Sequence, residues 1–151
     1  MSTQVGRATT ADVPELARLF DAYRIFYERA PDLTAAEAFV RRQIEEDVTK
    51  FFIARDYDNG AAIGFVHLLP SVSTLAMQPI WYLEDLFVAP AARRRGVGEA
   101  LMLQAERFAR ETGAERLTLS TAFDNKTAQS LYRRLGYERD EHFWYFHRLL
   151  R

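Results

Sequence analysis

Glu84 and Asp85 stand side by side within an apolar run, and a few residues later the chain reads Arg93-Arg94-Arg95-Gly96-Val97-Gly98 before a stretch of helical periodicity. A carboxylate at the end of a buried strand can accept a proton or hold a cation. The basic, glycine-containing segment offers the reverse. The first amides of a helix lack internal partners, the helix dipole places about half a positive charge there, and glycine lets the backbone approach an anion closely. Diphosphate is the natural ligand of such a loop. A solvated arginine cluster has the same composition, so the surrounding sequence has to decide. Farther on, Asn125, Ala128 and Tyr132 recur at three and four residues, which puts them on one helix face. A tyrosine there carries a phenolic proton at pH 7 and can act as an acid or pack against a sheet, and Asn125 can cap the helix.

Other chemistries recede. Gly-x-x-x-x-Gly-Lys-Ser/Thr is absent, and Gly-x-Gly-x-x-Gly is incomplete because position 101 is Leu, so neither a P-loop nor a dinucleotide fingerprint is present. With 0 Cys there is no disulfide, thiolate metal site or cysteine nucleophile. His67, His142 and His147 lack metal-like spacing and read as strand residues; no metal is expected. Twenty Lys+Arg against 21 Asp+Glu leave a formal charge of -1, so no field holds a nucleic acid. The start MSTQVGRATT lacks a basic stretch followed by an apolar core, and no run approaches the ~20 apolar residues of a membrane span. The expectation is a soluble, cytoplasmic protein with no membrane partner. Its 151 residues, 48% hydrophobic and 27% charged, suit one compact domain.

The elements that must position these residues follow from changes of period. After a short start at 5–8, Thr9 or Thr10 can cap a helix in which Val13, Leu16, Ala17, Leu19, Phe20 and Tyr23 share a face. Pro31 interrupts, and a second helix begins within 32–34 and reaches about Asp47. Residues 51–54 and 61–68 form a hairpin around Asn59-Gly60, and a looser stretch at 70–79 leads into a strand at 80–88 stopped by Ala89-Pro90. A helix from Gly96 to about Glu111 and a strand at 116–121 complete a βαβ crossover. Then come a helix at 125–135, with Gly136 as its stop, and a final strand at 141–149. The fold class is α+β with a central mixed sheet.

Val88 at a strand end, Arg93-x-x-Gly96-x-Gly98, and Asn125-x-x-Ala128-x-x-Leu131-Tyr132-x-x-x-Gly136-Tyr137 resemble, in type, order and spacing, the two cofactor motifs of the GNAT superfamily of acetyl-CoA-dependent N-acetyltransferases. The match is concentrated in residues 80–138. The resemblance implies a GNAT fold over residues 1–151, a mostly antiparallel mixed sheet flanked by helices, with acetyl-CoA as cosubstrate. It implies that Arg93, Arg94, Arg95, Gly96, Val97, Gly98 and Glu99 hold the diphosphate of coenzyme A, Arg93 standing where the family has Gln or Arg. Glu99 departs from the pattern, because a carboxylate repels phosphate and has to point away. Phe87 and Val88 would pair with the pantetheine arm as an extra strand would, and the amide near Leu86 would polarise the acetyl carbonyl. Asn125, Ala128 and Tyr132 would border the thiol end, with Tyr132 protonating the departing thiolate.

A protonated amine cannot attack a thioester, so a base is required. In a regular strand Glu84 and Asp85 point to opposite faces, and only one reaches a given site. Residues 82–88 are similar to those of the spermidine/spermine and thialysine (polyamine) branch, where the first acid of the pair is the base. The resemblance therefore favours Glu84, with Asp85 in reserve. Between the first two helices lie Tyr23, Phe26, Tyr27, Glu28 and Asp32, and aromatics beside carboxylates suit a cationic amine. Tyr27, Glu28 and Asp85 are accordingly expected to meet a small-molecule amine acceptor. The alternatives are acetylation of protein or peptide amines and a non-catalytic acyl-CoA sensor. Phe143, Trp144, Tyr145 and Phe146 in succession make both faces of the final strand aromatic, from which a homodimer is expected.

Overall fold

The computed structural model describes residues 3–151. The chain forms two compact units, 1–120 and 121–151. The first carries a five-stranded sheet in the order β1 (Thr3–Arg7), β2 (Lys50–Asp56), β3 (Ala62–Ser73), β4 (Gln78–Val88), β5 (Leu117–Leu119). Neighbours are antiparallel except β4 and β5, which are parallel and joined through helix α3 (Val97–Glu111), so the expected crossover is present and the sheet is mixed. Helices α1 (Val13–Phe26) and α2 (Leu33–Glu46) cover one face. There Phe20, Phe51, Phe65 and Phe87 pack with Val13, Leu16 and Val40 into an aromatic-rich core. On the other face α3 buries Leu101, Met102 and Ala105, and its Phe108 meets Phe52 and Trp81.

Local chemistry sets the boundaries. Thr9 N donates to the Asp12 carboxylate at 2.8 Å ahead of α1, and Asp32 caps α2 by accepting from Ala35 N at 3.1 Å. The loose stretch expected at 70–79 is instead strand on both sides of a short turn, with Ser73 opposite Gln78. Pro70 and Pro79 are tolerated because the outer ladders do not reach them: β2 pairs no farther than Leu68, and β5 begins opposite Trp81.

β4 is not a regular strand. Leu68 stands opposite Leu83 and His67 opposite Asp85, which leaves Glu84 as the extra residue of a β-bulge. The bulge reverses the alternation. Trp81 packs on α3 through Phe108, whereas Phe87, six positions on and of the same parity, packs on Tyr23 of α1. Without Glu84 in the bulge, Asp85 and Phe87 would face α3.

The second unit contains α4 (Lys126–Arg134), capped by Asn125, whose side chain accepts from Ala128 N at 3.2 Å. The final strand expected at 141–149 is absent: among the described residues no strand is assigned there and none pairs with it, so His142 and His147 are not strand residues. The Asp140 carboxylate accepts from the amides of His142 and Phe143 at 2.8 and 3.2 Å, so a local turn uses the donors that a ladder would have needed. Phe143, Trp144 and Phe146 are exposed.

Candidate active site

The side chain of Asp85 faces α1, as the bulge dictates. Its Oδ2 lies 2.9 Å from Nδ1 of His67 on β3, and the same carboxylate lies near enough to Tyr23 of α1 to act on its phenol. His67 is buried at 3% exposure, its ring stacked 3.9 Å from that of Phe51, and its Nε2 is 2.9 Å from Thr49 Oγ1. Thr49 Oγ1 lies 2.7 Å from Gln43 Oε1 of α2. Burial first, then the charge and hydrogen bond of Asp85, push the Tyr23 phenol far above its ordinary 10.0, and Glu84 adds to the rise. Asp85 faces α1, whereas Glu84, the extra residue of the bulge, is exposed.

Tyr23 also lines a pocket of about 570 Å³ with Phe20, Arg24, Tyr27 and Arg29. Tyr23 and Tyr27 of the sequence reading line it and Phe26 does not; the charged lining residues are arginines, and neither Glu28 nor Asp32 belongs to the wall. Arg24 is committed. It donates to Asp21 at 2.9 Å and to the Ala30 carbonyl at 3.1 Å, while buried Asp21 also accepts from Asp32 N. These bonds tie the α1–α2 connection to α1. Arg29 forms no ion pair among the described residues. Glu28 terminates α1 at φ 62°, with Glu28 N bonded to Ile25 O and Arg29 N to Arg24 O. Glycine normally holds this left-handed position after a helix, so a glutamate there carries backbone strain at the pocket lip.

The arginine loop leads directly into α3. Gly96 caps α3 at φ 76°, a conformation natural to glycine, and the helix opens at Val97 with Gly98 and Glu99 in its first turn. The arginines divide their work. Arg95 pairs with Asp56 of the β2–β3 turn at 2.8 Å, which holds that carboxyl below its ordinary range. Arg93 donates Nε to the Val88 carbonyl at 3.0 Å and lies over the rings of Phe26 and Phe87. Arg94 is exposed at φ 63° and has no ion pair among the described residues.

Beside this loop β4 is open on one edge. It pairs with β5 only at Trp81, Tyr82 and Leu83, so residues 84–88 have no strand on that side within the first unit. Ala89 N–H points to β3, bonding Ile63 O at 2.8 Å, while the Val88 carbonyl points away to Arg93. Since successive backbone groups alternate, the Leu86 amide faces the open edge with Val88. Phe87 is buried in the α1 face instead, so its side chain belongs to the core.

Asn125, Ala128 and Tyr132 lie in the second unit, where Asn125 is a cap and the Tyr132 ring is 6.2 Å from that of Tyr137. Sequence reasoning missed His67 and Thr49, for which the signal was available only as a histidine among apolar strand residues. It also missed Gly64. A Cβ there would lie 2.8 Å from the Phe87 carbonyl oxygen and 3.2 Å from Leu101, so glycine is what lets β4 and α3 close on β3 beside the loop.

A bulged strand open at one edge, a helix start capped by Gly96 and a half-buried carboxylate held by a buried histidine lie within the first unit. The description of the Acetyltransferase (GNAT) family matches residues 15–137, and the chain belongs to that family and is an N-acetyltransferase. It is 42% identical over 142 residues, 94% of each chain, to the uncharacterized N-acetyltransferase YhfO of Bacillus subtilis strain 168. It is 34% identical over 89 residues, 59% of this chain and 55% of the other, to a D-amino-acid N-acetyltransferase of Saccharomyces cerevisiae. A crystal structure of a probable acetyltransferase superposes with a TM-score of 0.92 at 31% identity, covering 98% of both chains.

Proposed function

We propose that the enzyme transfers acetyl from acetyl-CoA to the primary amine of a small molecule by direct attack in a ternary complex. The observation that carries this reading is the open edge of β4 at 84–88 running into the Arg93–Gly98 loop. One edge offers strand-like pairing, and the next residues offer amides and guanidinium groups to a diphosphate. These residues fit the cosubstrate, which supplies the thioester when bound. Leu86, Phe87 and Val88 would line the acyl and pantetheine path, Arg93 and Arg94 would supply side-chain donors, and the backbone of Arg95, Gly96, Val97, Gly98 and Glu99 would close on phosphate. Glu84, exposed on the bulge, would take the ammonium proton and release it to water, and the Tyr132 phenol would protonate the leaving thiolate, with Asn125 and Ala128 on its helix face. The family match runs through both compact units, which supports reading residues 1–151 as one domain.

The likeness of residues 82–88 to the polyamine branch, with Tyr27 and Glu28 at the pocket, supports a cationic acceptor in the cytoplasm. A second reading is favoured by Arg24 and Arg29 in the pocket wall: an acceptor carrying an anionic group beside its amine, as an amino acid does. Exposed Phe143, Trp144 and Phe146 support a homodimer, in which a second copy covers them; light scattering at micromolar protein checks the mass. The deciding experiment is thiol release from acetyl-CoA over a panel of polyamines, amino acids and uncharged amines. Tyr132→Phe should lower turnover on the best acceptor by ~10² to 10⁴ while acetyl-CoA still binds. Unchanged turnover would return Tyr132 to a packing role.

A further inference from the structure

Four side chains form a continuous hydrogen-bonded path that passes through the buried His67: Gln43 of α2, Thr49, His67 of β3 and Asp85 of β4, and Asp85 acts in turn on Tyr23 of α1. Polar groups are buried at a desolvation cost, and their geometry shows what they support. A carboxylate only accepts, so Nδ1 of His67 carries a proton and donates it to Asp85. Nε2 then either accepts from the Thr49 hydroxyl or, in the imidazolium, donates to it. Gln43 can satisfy both arrangements, because its amide presents an oxygen or a nitrogen to Thr49. The support is therefore complete in either state of the ring, and in both the Asp85 donor is the same.

His67 cannot turn away. It is buried and stacked nearly parallel, at 3°, on Phe51. Tyr23, on which Asp85 acts, forms part of the pocket wall. Asp85 is thus fixed by His67, and its side chain keeps 14% exposure, which leaves it within reach of a second donor. Glu84 has the opposite character: it is exposed, and no hydrogen bond fixes it among the described residues.

We infer that Asp85 is the anchor for the acceptor's ammonium group, and that His67, backed by Thr49 and Gln43, is a positioning residue that holds this carboxylate beside Tyr23 of the pocket wall. The inference deepens the acetyltransferase reading and rests on it. Two neighbouring acids then have separate tasks. Asp85 binds the cation and is fixed; Glu84 receives its proton and is mobile. In the reaction the ammonium nitrogen gives one proton to Glu84, its lone pair forms the C–N bond, and the C–S pair leaves with sulfur. The second nitrogen proton is lost as the amide forms and balances the proton taken up by the thiolate.

The test has a kinetic arm and a spectroscopic arm. Asp85→Asn and His67→Gln should each raise the acceptor KM by about tenfold to a hundredfold, the range for a lost hydrogen bond to a charged group, with the acetyl-CoA KM unchanged. His67→Asn should recover part of the loss, since its amide nitrogen can replace Nδ1 as the donor to Asp85. Because His67 acts through Asp85, the double variant His67→Gln/Asp85→Asn should be no worse than Asp85→Asn alone. Multiplying effects, or losses confined to kcat, would overturn the inference. Independently of turnover, the His67 Nδ1–H resonance should shift saturably when cadaverine, or the best acceptor of the panel, is added to wild type, and should not shift in Asp85→Asn. A shift without acetyl transfer to any amine leaves the anchor standing and removes the acetyltransferase reading. Turnover without the shift removes the anchor.

Discussion

Between Arg93 and Gly98 the residues proposed to meet a diphosphate are contiguous in the chain and, apart from buried Val97, lie at or near the surface. The proposed acceptor wall is built the other way. Tyr23 comes from α1, His67 from β3 and Asp85 from β4, and of these His67 is buried. The difference follows from what each side has to recognise. A diphosphate is bound by charge and by amides that any helix start supplies, so local sequence suffices. An amine must be aimed at one atom, and a carboxylate stays aimed only when side chains from several elements hold it. The donor side should therefore be sensitive to local shape and charge, and the acceptor side to distant packing.

The largest expected effect tests the donor side alone. Gly98→Asp places a negative charge where phosphate would sit, while an acid in the first turn of a helix favours the fold. The rise in melting temperature caused by acetyl-CoA should vanish with little change in the melting temperature of the free protein. A retained shift would take the loop out of the binding site. Glu84→Gln comes next: turnover should fall by ~10² near neutral pH, and the deficit should shrink as pH nears the ~10 at which the amine supplies its own neutral form. A deficit that ignores pH would make Glu84 structural and move the base elsewhere on the acceptor wall.

Gly64→Ala joins the two regions, since the added carbon would press on the Phe87 carbonyl and Leu101 together. A loss of about 1 to 3 kcal/mol in urea unfolding is expected from overpacking, with weaker acetyl-CoA binding as the β4 edge shifts. A neutral change would show that the two sides are not mechanically linked at β3.

The smallest effects separate the regions by pH. Asp56, held low chiefly by its hydrogen bond from Arg95, contributes stability that is complete above about 4 and is lost as pH falls through its depressed folded value. Tyr23, raised by burial and by Asp85, contributes stability that is complete below 10 and is lost as pH climbs above it. Asp56→Asn should therefore flatten the acid limb of the melting curve against pH, and Tyr23→Phe the alkaline limb. The reverse pattern would break the comparison.

The sequence by itself determined most of the elements. Helical and strand periods placed α1 to α4 and four of the strands' cores, and Gly96 with its arginines marked the helix start on which the proposed donor loop rests, because these signals are local: a helix face and a positive φ each depend on a few consecutive residues. Glu84 and Asp85 were legible as an acid pair for the same reason. What only the tertiary structure decided is which way they face. The bulge at Glu84 arises from the register of β4 against β3, and no residue in β4 states that register alone. His67 read as an ordinary strand residue until Thr49, Phe51 and Asp85 closed around it, and residues 141–149 read as a strand although no strand is assigned there among the described residues. Both depend on groups far apart in the chain: a strand needs a ladder, and a buried histidine takes its role from the donors and acceptors that folding brings to its two nitrogens.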